Sequence, residues 1–217
     1  SDDDAKVDII KYFSEDPKYS KIELTYQKKP SCPKMINNIC NYKPRTELII
    51  TKLIPLYEEG RCILILSDRR NHLLEIEILL KKYNIECGYY VGGMKPQALR
   101  DAQEKNVILG TFSMASEGMD IPKLNTMILA SPKSDIVQSV GRILRQKKEK
   151  RKFQPLVVDI CDEFSIFTNQ SKKRLTYYNR CKYDTTIYEM DGTNHKYEKT
   201  RKKREKKKDK IENIEEC

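Results

Sequence analysis

The chain has 217 residues, of which 34% are charged, and its formal net charge at pH 7 is +10. This length suffices for one sizeable α/β domain with appendages, and the recurring short apolar runs exclude wholesale disorder. No apolar stretch is long enough to span a bilayer, and the N-terminus has no secretory signal, so we expect an intracellular protein without a membrane partner. The basic balance favours a polyanionic partner such as nucleic acid.

Residue types that bind metals form no cluster in the sequence. The seven cysteines include no C-x-x-C pair, and the two histidines, His72 and His195, do not cluster with them. We therefore predict no metal site within the chain and expect reduced thiols.

The first 44 residues have a mixed pattern. An acidic start is followed by one candidate strand at 21–27 and by a proline-containing loop at 29–33. We predict that residues 1–44 form a linker with an edge strand that precedes the main domain, while the sequence leaves open whether they belong to that domain.

Apolar runs and helical periodicities alternate from Pro44 onward. Short continuous apolar runs are typical of buried strands, and apolar residues at a period of about 3.6 indicate helices. Strands are predicted at 61–66, 86–91, 106–111, 126–130 and 156–160, and helices at 45–59, 71–83, 97–104 and 135–146. Gly60 is predicted to end the first of these helices.

This alternation predicts an α/β domain over residues 45–190, with a parallel sheet covered by helices on both faces. The last part of that domain, 164–190, is predicted to be mostly helical. Residues 191–217 form a basic tail, and the charge run at 196–210 favours a disordered segment or a solvated helix.

The segment 138–145 combines an amide and two guanidinium groups at helical spacing. Gln138, Arg142 and Arg145 are four and three residues apart, so a helix places them on one face. Planar guanidinium groups suit a phosphate that carries developing negative charge. Gly141 inside the helix costs about 1 kcal/mol relative to Ala, which suggests that something approaches closely there. An ordinary amphipathic helix with solvated arginines is the competing interpretation of this segment.

A second polar segment, 110–122, follows the predicted strand 106–111. Parallel sheets bind ligands at the carboxyl ends of their strands, where this segment begins. Gly118 permits a turn with positive φ, and Asp120 offers a carboxylate to a ribose hydroxyl or an arginine. An ordinary connection between a strand and a helix is the alternative.

Together the two segments resemble motifs V and VI of superfamily 2 helicases. Here they have the form T-x5-E-G-x-D-I-P, from Thr111, and Q-x-x-G-R-x-x-R, from Gln138. The run 62–69 resembles motif IV of the same family. The run 158–162, with Arg174 and Tyr178, resembles the end of the second lobe in transcription and repair helicases. The resemblance covers residues 45–183, and helicases of large cytoplasmic DNA viruses are the most similar in character.

The resemblance implies a RecA-like fold and specific roles for these residues. Arg145 is expected to be an arginine finger on the γ-phosphate of ATP, with Arg142 at the triphosphate and Gln138 as a sensor. Gly118 and Asp120 are expected to shape the nucleotide site. Nucleic-acid contacts are expected at four residues: Ser67, Arg69, Gly92 and Thr111.

The sequence lacks two motifs that an ATP-driven motor needs. It contains no G-x-x-x-x-G-K-[ST] loop to hold phosphates and no Asp-Glu pair in a strand context suited to Mg²⁺. In the resembled family both lie on the first lobe. We therefore expect ATP and Mg²⁺ to be held mainly by an N-terminal RecA-like lobe of the same protein, and this chain alone to be inactive.

Two other functions compete with an ATP-dependent helicase lobe. A non-catalytic RecA-like module would use its basic surface only to bind nucleic acid or a protein. A dinucleotide-dependent oxidoreductase is disfavoured because no G-x-G-x-x-G follows a strand. The nucleic acid is expected to be DNA, with RNA as the alternative, and the transcription machinery is a further candidate partner. The expected location is the host cytoplasm or virion for a viral protein and otherwise the nucleus.

Overall fold

The computed structural model describes residues 5–144, 151–190 and 197–200, without the side chains of Arg142, Ile143, Met190 and 197–200. Eight strands form one sheet in the order β3-β4-β2-β5-β6-β1-β7-β8. The strands are β1 Lys6–Tyr12, β2 Ile63–Leu66, β3 Gly88–Tyr90, β4 Val107–Gly110, β5 Thr126–Leu129, β6 Leu156–Asp162, β7 Asp184–Met190 and β8 Tyr197–Thr200. The first seven strands run parallel, and β8 pairs antiparallel with β7 at one edge.

Helices cover both faces of this sheet, as the sequence predicts for a RecA-like fold. They are α1 Pro17–Ser20, α2 Cys32–Asn41, α3 Lys43–Glu58, α4 Arg70–Lys81, α5 Pro96–Ala102, α6 Phe112–Ser116, α7 Val137–Ile143 and α8 Ser165–Arg180. Alternate residues of β2 point to opposite faces: Ile63 and Ile65 join the core beneath α2, α3 and α4, and Leu64 and Leu66 join the core beneath α6 and α7. Both faces of β2 are therefore buried beneath helices, which is typical of parallel sheets.

The prediction that residues 1–44 precede the domain as a linker with an edge strand is wrong. β1 lies inside the sheet, between β6 and β7, and is hydrogen-bonded to both. Val7, Ile10 and Tyr12 are buried in it. Lys6, Asp8 and Lys11 interrupt its apolar run, and this hides the strand from a search for continuous hydrophobicity.

The predicted strand at 21–27 is a tight hairpin instead. Only Leu24 makes a strand-like pair, with Pro30, and Lys28 adopts a positive φ of 59° where the chain reverses.

The prediction of a mostly helical 164–190 is correct only for α8. Lys182, with a φ of 58°, turns the chain into β7. This strand begins with Asp184-Thr185-Thr186-Ile187-Tyr188, and β-branched and aromatic residues favour a strand. Within the predicted basic tail, 197–200 is β8, and the remainder lies outside the described residues. No helix in the described part of the chain is long and apolar enough to cross a membrane.

Candidate functional site

The described candidate residues lie along one edge of the sheet. Four neighbouring strands, β3, β4, β2 and β5, run parallel, so their carboxyl ends meet at the same edge. Gly92 follows β3, Thr111 follows β4, Ser67 and Arg69 follow β2, and the loop after β5 leads into α7 with Gln138. Segments that follow four different strands, from Ser67 to Gln138, therefore form one surface, at the position where α/β sheets bind ligands.

The segment after β4 is held by buried anchors and presents polar groups between them. The Thr111 hydroxyl caps α6 by accepting a hydrogen bond from the Met114 amide at 3.3 Å. Met119 and Ile121 are buried on either side of the exposed Asp120. Gly118 has a φ of +104°, and apart from Gly118 and its two chain neighbours no residue has a heavy atom within 4 Å of the position that a Cβ would occupy. The segment thus offers a carboxylate and an open stretch of backbone.

The helix α7 packs directly against α6. The hydroxyl groups of Ser116 and Ser139 lie 3.4 Å apart and form a hydrogen bond between the two helices. Helical spacing in the sequence predicts one apolar stripe of Val137, Val140 and Leu144 that packs against the sheet. Val140 and Leu144 are buried, whereas Val137 is 46% exposed and does not belong to the stripe. Gln138 is exposed. The two motif-like segments are therefore parts of one packed unit.

The position of Tyr177 explains why α7 contains Gly141, although glycine is unfavourable inside a helix. A Cβ there would lie 3.1 Å from the hydroxyl oxygen of Tyr177, on α8. The close approach inferred from sequence is thus an approach by a neighbouring helix. Arg142 lies in α7, but its side chain is not described, and Arg145 lies outside the described residues. The common face of Gln138, Arg142 and Arg145 stays a prediction.

Ser67 is fully buried. Its hydroxyl lies 2.9 Å from Nδ1 of His72 and accepts a hydrogen bond from the Arg69 amide at 3.2 Å. On its other side, Nε2 of His72 lies 3.4 Å from the Thr46 hydroxyl. Burial and the nearby charge of Arg45 lower the pKa of His72 to about 3, so the ring is neutral. This placement speaks against a direct phosphate contact by the Ser67 side chain.

The other two residues expected at nucleic acid make contacts within the fold. Arg69 donates from Nε to Oδ1 of Asn37 at 2.6 Å and from Nη2 to the carbonyl of Pro33 at 3.2 Å, and so binds α2. Gly92 is partly exposed, and its carbonyl accepts a hydrogen bond from Nη2 of Arg70 at 2.7 Å.

A buried ion pair that the sequence does not reveal supports the site from the α3 face. Arg45 donates two hydrogen bonds to the Asp162 carboxylate, at 2.8 and 2.9 Å, and both side chains are fully buried. The Tyr19 hydroxyl donates to the same carboxylate at 2.6 Å. Burial alone would lower the pKa of Arg45, but the Asp162 carboxylate raises it. The guanidinium also donates to the carbonyl of Ala130, in the loop before α7.

A second buried pair supports the same loop from the opposite face. Arg174 binds Asp159 with two hydrogen bonds, at 2.8 and 2.9 Å, and Tyr178 donates to that carboxylate at 2.6 Å. Burial alone would raise the pKa of Asp159, but Arg174 lowers it. Arg174 also donates from Nη1 to the carbonyl of Lys133 at 2.8 Å. The resemblance had grouped these three residues with the end of the lobe, but not with this loop.

The loop 130–136 is held from a third side by the segment after β2. The Asp68 amide donates to the Ser131 hydroxyl at 2.9 Å, and the Lys133 ammonium lies 3.7 Å from the Asp68 carboxylate. Two buried guanidinium groups and Asp68 thus fix the loop that sets the position of α7. Among the described residues, no group of three or more His, Cys, Asp or Glu side chains could hold a metal ion.

Comparison with known families places most of these segments in one domain. Residues 46–147 match the model of the helicase conserved C-terminal domain. A protein of Acanthamoeba polyphaga mimivirus, named a putative ATP-dependent RNA helicase, is 40% identical over 192 residues, which are 85% of this chain and 36% of that protein. A protein of African swine fever virus with the same functional name is 29% identical over 110 residues, which are 50% of this chain and 21% of that protein. The chain thus spans about a third of one relative and a fifth of the other.

Two solved structures share the fold. The crystal structure of T4 UvsW superposes with a TM-score of 0.65 at 20% identity, and the match covers 87% of this chain and 42% of UvsW. The C-terminal domain of the DEAD-box protein Dbp5 has a TM-score of 0.50 at 14% identity, with coverage of 68% and 85%.

Proposed function

We infer that the chain is a C-terminal RecA-like lobe of the superfamily 2 helicases, and from that premise we propose that it is the second half of an ATP-dependent nucleic-acid motor. ATP and Mg²⁺ would be held mainly by a first lobe of the same protein. This chain would contribute arginine side chains to the triphosphate and a surface to the nucleic-acid backbone.

The observation that carries this proposal is the packed unit of α6 and α7. The Ser116–Ser139 hydrogen bond fixes the two helices against each other, so the open backbone at Gly118, the Asp120 carboxylate and the Gln138 amide share one edge of the sheet. Carboxylate, amide and free backbone groups fit a ribose and phosphates. A surface that serves only for docking does not need two helices held in register in this way.

Arg145 and Arg142 would act on the triphosphate from α7 and the residues that follow it. A guanidinium stabilises the charge that develops on a transferring phosphoryl group, and such a finger contributes roughly 10³–10⁵ in rate. The clamp on loop 130–136 supports this role, because fingers act only when their geometry is fixed before the reaction.

Nucleic acid would lie along the same edge, near Thr111, Gly92 and Arg69. Thr111 keeps a hydroxyl proton to donate while its oxygen caps α6. Arg69 is partly exposed despite its bonds to α2. Ser67, which is buried, would act indirectly by fixing the Arg69 amide. DNA is our first expectation, although the two viral relatives are named as RNA helicases. Those relatives also favour the host cytoplasm or the virion as its location and leave the transcription machinery as a candidate partner.

The alternative function is a RecA-like module that binds nucleic acid or a protein without catalysis. Replacement of Arg145 in the full-length protein separates the two. Arg145→Ala should cut ATP hydrolysis by about 10³-fold or more while binding of single strands stays near normal. Arg145→Lys should restore little, because an ammonium group cannot reproduce the planar fork. Steady-state hydrolysis, strand binding and a melting curve are measured on the same preparations.

Arg180→Ala is the matched control for these measurements. Arg180 is exposed in the last turn of α8, which leads into the amino end of β7 and so lies at the opposite edge of the sheet. Its loss should leave hydrolysis unchanged. Wild-type turnover by a well-folded Arg145→Ala protein would contradict the assignment of Arg145 as an arginine finger and favour a lobe that binds without taking part in catalysis.

A further inference from the structure

The segment between α1 and α2 is a well-defined hairpin of residues 21–31, here called the Tyr26 hairpin. The Thr25 amide donates to the Lys29 carbonyl at 2.7 Å, the Lys28 amide to the Thr25 carbonyl at 2.9 Å, and the Ser31 amide to the Glu23 carbonyl at 2.7 Å. Backbone bonds on both sides of the turn fix its shape, so its tip is presented in one conformation. Nothing in the nucleotide site described above uses this hairpin.

The tip carries an aromatic residue next to two basic residues. Tyr26 is 94% exposed, and Lys28 and Lys29 beside it are exposed as well. Neither ammonium group has a salt-bridge partner within the part of the chain that the structure describes. Ile22 and Leu24 are each 47% exposed and add apolar surface next to the ring. A tyrosine side chain that is almost fully exposed is not stabilised by burial within the fold.

The hairpin is attached to the edge of the sheet that carries the candidate site. The Lys34 ammonium donates to the Leu24 carbonyl at 3.5 Å, and the amide of Asn38 donates to the Glu23 carboxylate at 3.3 Å. Both Lys34 and Asn38 lie on α2, whose first turns also bind Arg69 through Pro33 and Asn37. The hairpin is therefore connected, through one helix, to the segment after β2.

We propose that the Tyr26 hairpin binds single-stranded nucleic acid, with a base stacked on Tyr26 and backbone phosphates at Lys28 and Lys29. The inference rests on the proposed function and extends its nucleic-acid surface to a part of the chain outside the matched helicase domain, which begins at residue 46. Sites for single strands combine positive charge along the backbone with aromatic rings that accept any base.

Charge decides between nucleic acid and a protein partner. Residues 21–34 contain Lys21, Lys28, Lys29 and Lys34 against one acid, Glu23, so this segment carries +3. The cores of protein interfaces are depleted in lysine, whereas phosphates favour it.

The test measures binding of fluorescent 20-nucleotide single strands, in DNA and RNA form, to the 217-residue chain over a series of salt concentrations. Tyr26→Ala should weaken binding roughly 5- to 150-fold, the range found for one lost stack, and Tyr26→Phe should bind nearly as the unaltered chain does. Lys28→Gln with Lys29→Gln should lower the salt slope by about 1.4, since each phosphate contact on a single strand contributes about 0.7. The DNA and RNA arms show which strand is preferred.

Matched controls lie at the amino ends of the strands, on the side of the sheet opposite to the candidate site. Tyr83, 57% exposed, follows α4 before the amino end of β3, and Lys81 and Lys82 precede it. Tyr83→Ala, and Lys81→Gln with Lys82→Gln, remove the same groups from this position and should leave affinity and salt slope within about twofold and 0.3 of the unaltered chain. Substitution of 5-iodouracil in the strand, with photocrosslinking and mass spectrometry, should place a crosslink on Tyr26.

The outcomes separate this inference from the function on which it rests. If the unaltered chain binds strands and Tyr26→Ala binds equally well, the hairpin inference is overturned and the motor function stands. If the Tyr83 variant loses as much affinity as the Tyr26 variant, the inference is overturned as well. If the unaltered chain binds neither strand, the proposed nucleic-acid surface fails, and the hairpin inference fails with it.

Discussion

Ser67 and His72 show how a residue expected to touch a ligand can instead support one that does. The Ser67 hydroxyl connects the His72 ring to the Arg69 amide, so the segment after β2 is fixed by polar groups that solvent does not reach. Buried polar groups of this kind are costly unless all of them are paired, and here Thr46 binds the second nitrogen of the ring.

The buried, neutral His72 makes the stability of the fold depend on pH. Burial lowers its pKa to about 3, below the value of about 6.5 in an unfolded chain, so the unfolded state binds more protons between these values. Stability is therefore fully present above pH 6.5 and is lost as the pH falls. The free energy of unfolding should fall by roughly 1.5 kcal/mol between pH 6.5 and 5 from this residue alone.

His72→Gln removes the proton site while keeping a side chain that can bind Ser67 and Thr46. The free energy of unfolding is measured in urea at pH 6.5 and at pH 5. Its fall between these two pH values should be smaller in the variant than in the unaltered chain, by roughly 1.5 kcal/mol. His195, the other histidine of the chain, is present in both proteins, so its contribution cancels. Equal pH dependence in the two proteins would show that His72 titrates normally.

At the level of elements, α7 is positioned by its neighbours and not by its own sequence. It is seven residues long, too short to be stable as an isolated helix, and it is packed against α6 and α8. The loop before it is clamped by Arg45 and Arg174 from opposite faces of the sheet. Because of this clamp, the two β6 carboxylates of Asp159 and Asp162 determine where the helix with Gln138 begins.

Gly141 and Tyr177 should be energetically coupled. Alanine is favoured over glycine in a helix by about 1 kcal/mol, but a Cβ at 141 would lie 3.1 Å from the Tyr177 hydroxyl. The change that Gly141→Ala makes in the free energy of unfolding should therefore be more stabilising, by about 1 kcal/mol, in a chain that also carries Tyr177→Phe than in one that keeps Tyr177. Chemical unfolding of the four proteins of this double-mutant cycle measures the coupling. Strict additivity would mean that the two helices can separate at no cost.

On the scale of the whole molecule, the sheet is completed by the N-terminal segment. β1 is paired on both sides, and it lies between β6, whose acids bind Arg45 and Arg174, and β7. Without β1, the ladder of β6 would be open on one side. A boundary drawn at residue 45 would thus remove an interior strand from the lobe.

A chain that begins at Lys43 should therefore lose cooperative folding. Burial of each large apolar side chain contributes about 1.5–3 kcal/mol, and Val7, Ile9, Ile10 and Tyr12 together approach the whole stability of a domain, about 5–15 kcal/mol. A chain that ends at Met190 loses the edge strand β8, which pairs on one side only, and should still unfold cooperatively. Thermal unfolding followed by circular dichroism compares the two. A cooperative transition in the chain that begins at Lys43 would contradict the interior position of β1.

The sequence by itself determined those parts of the lobe that can be predicted from residues close together in the chain. Continuous apolar runs predicted β2, β4, β5 and most of β6, because a strand buried on both faces needs no alternation. The ordered pair of motif-like segments indicated the family, and the position of each segment after a strand predicted that they meet at one edge, since parallel strands end together. Helical periodicity also predicted the burial of Val140 and Leu144, but not the exposure of Val137 at the first turn of α7.

Only the tertiary structure decided which distant residues meet. Arg45 binds Asp162 across 117 positions of the sequence, and no local pattern marks an arginine that will be buried. Ser67 points inward because His72 and Thr46 lie beneath it, and β1 is a strand because β6 and β7 offer hydrogen bonds on both sides. Such pairs form because a polar group taken from water must find a partner wherever the fold brings one. Local propensity carries no information about which group that partner is.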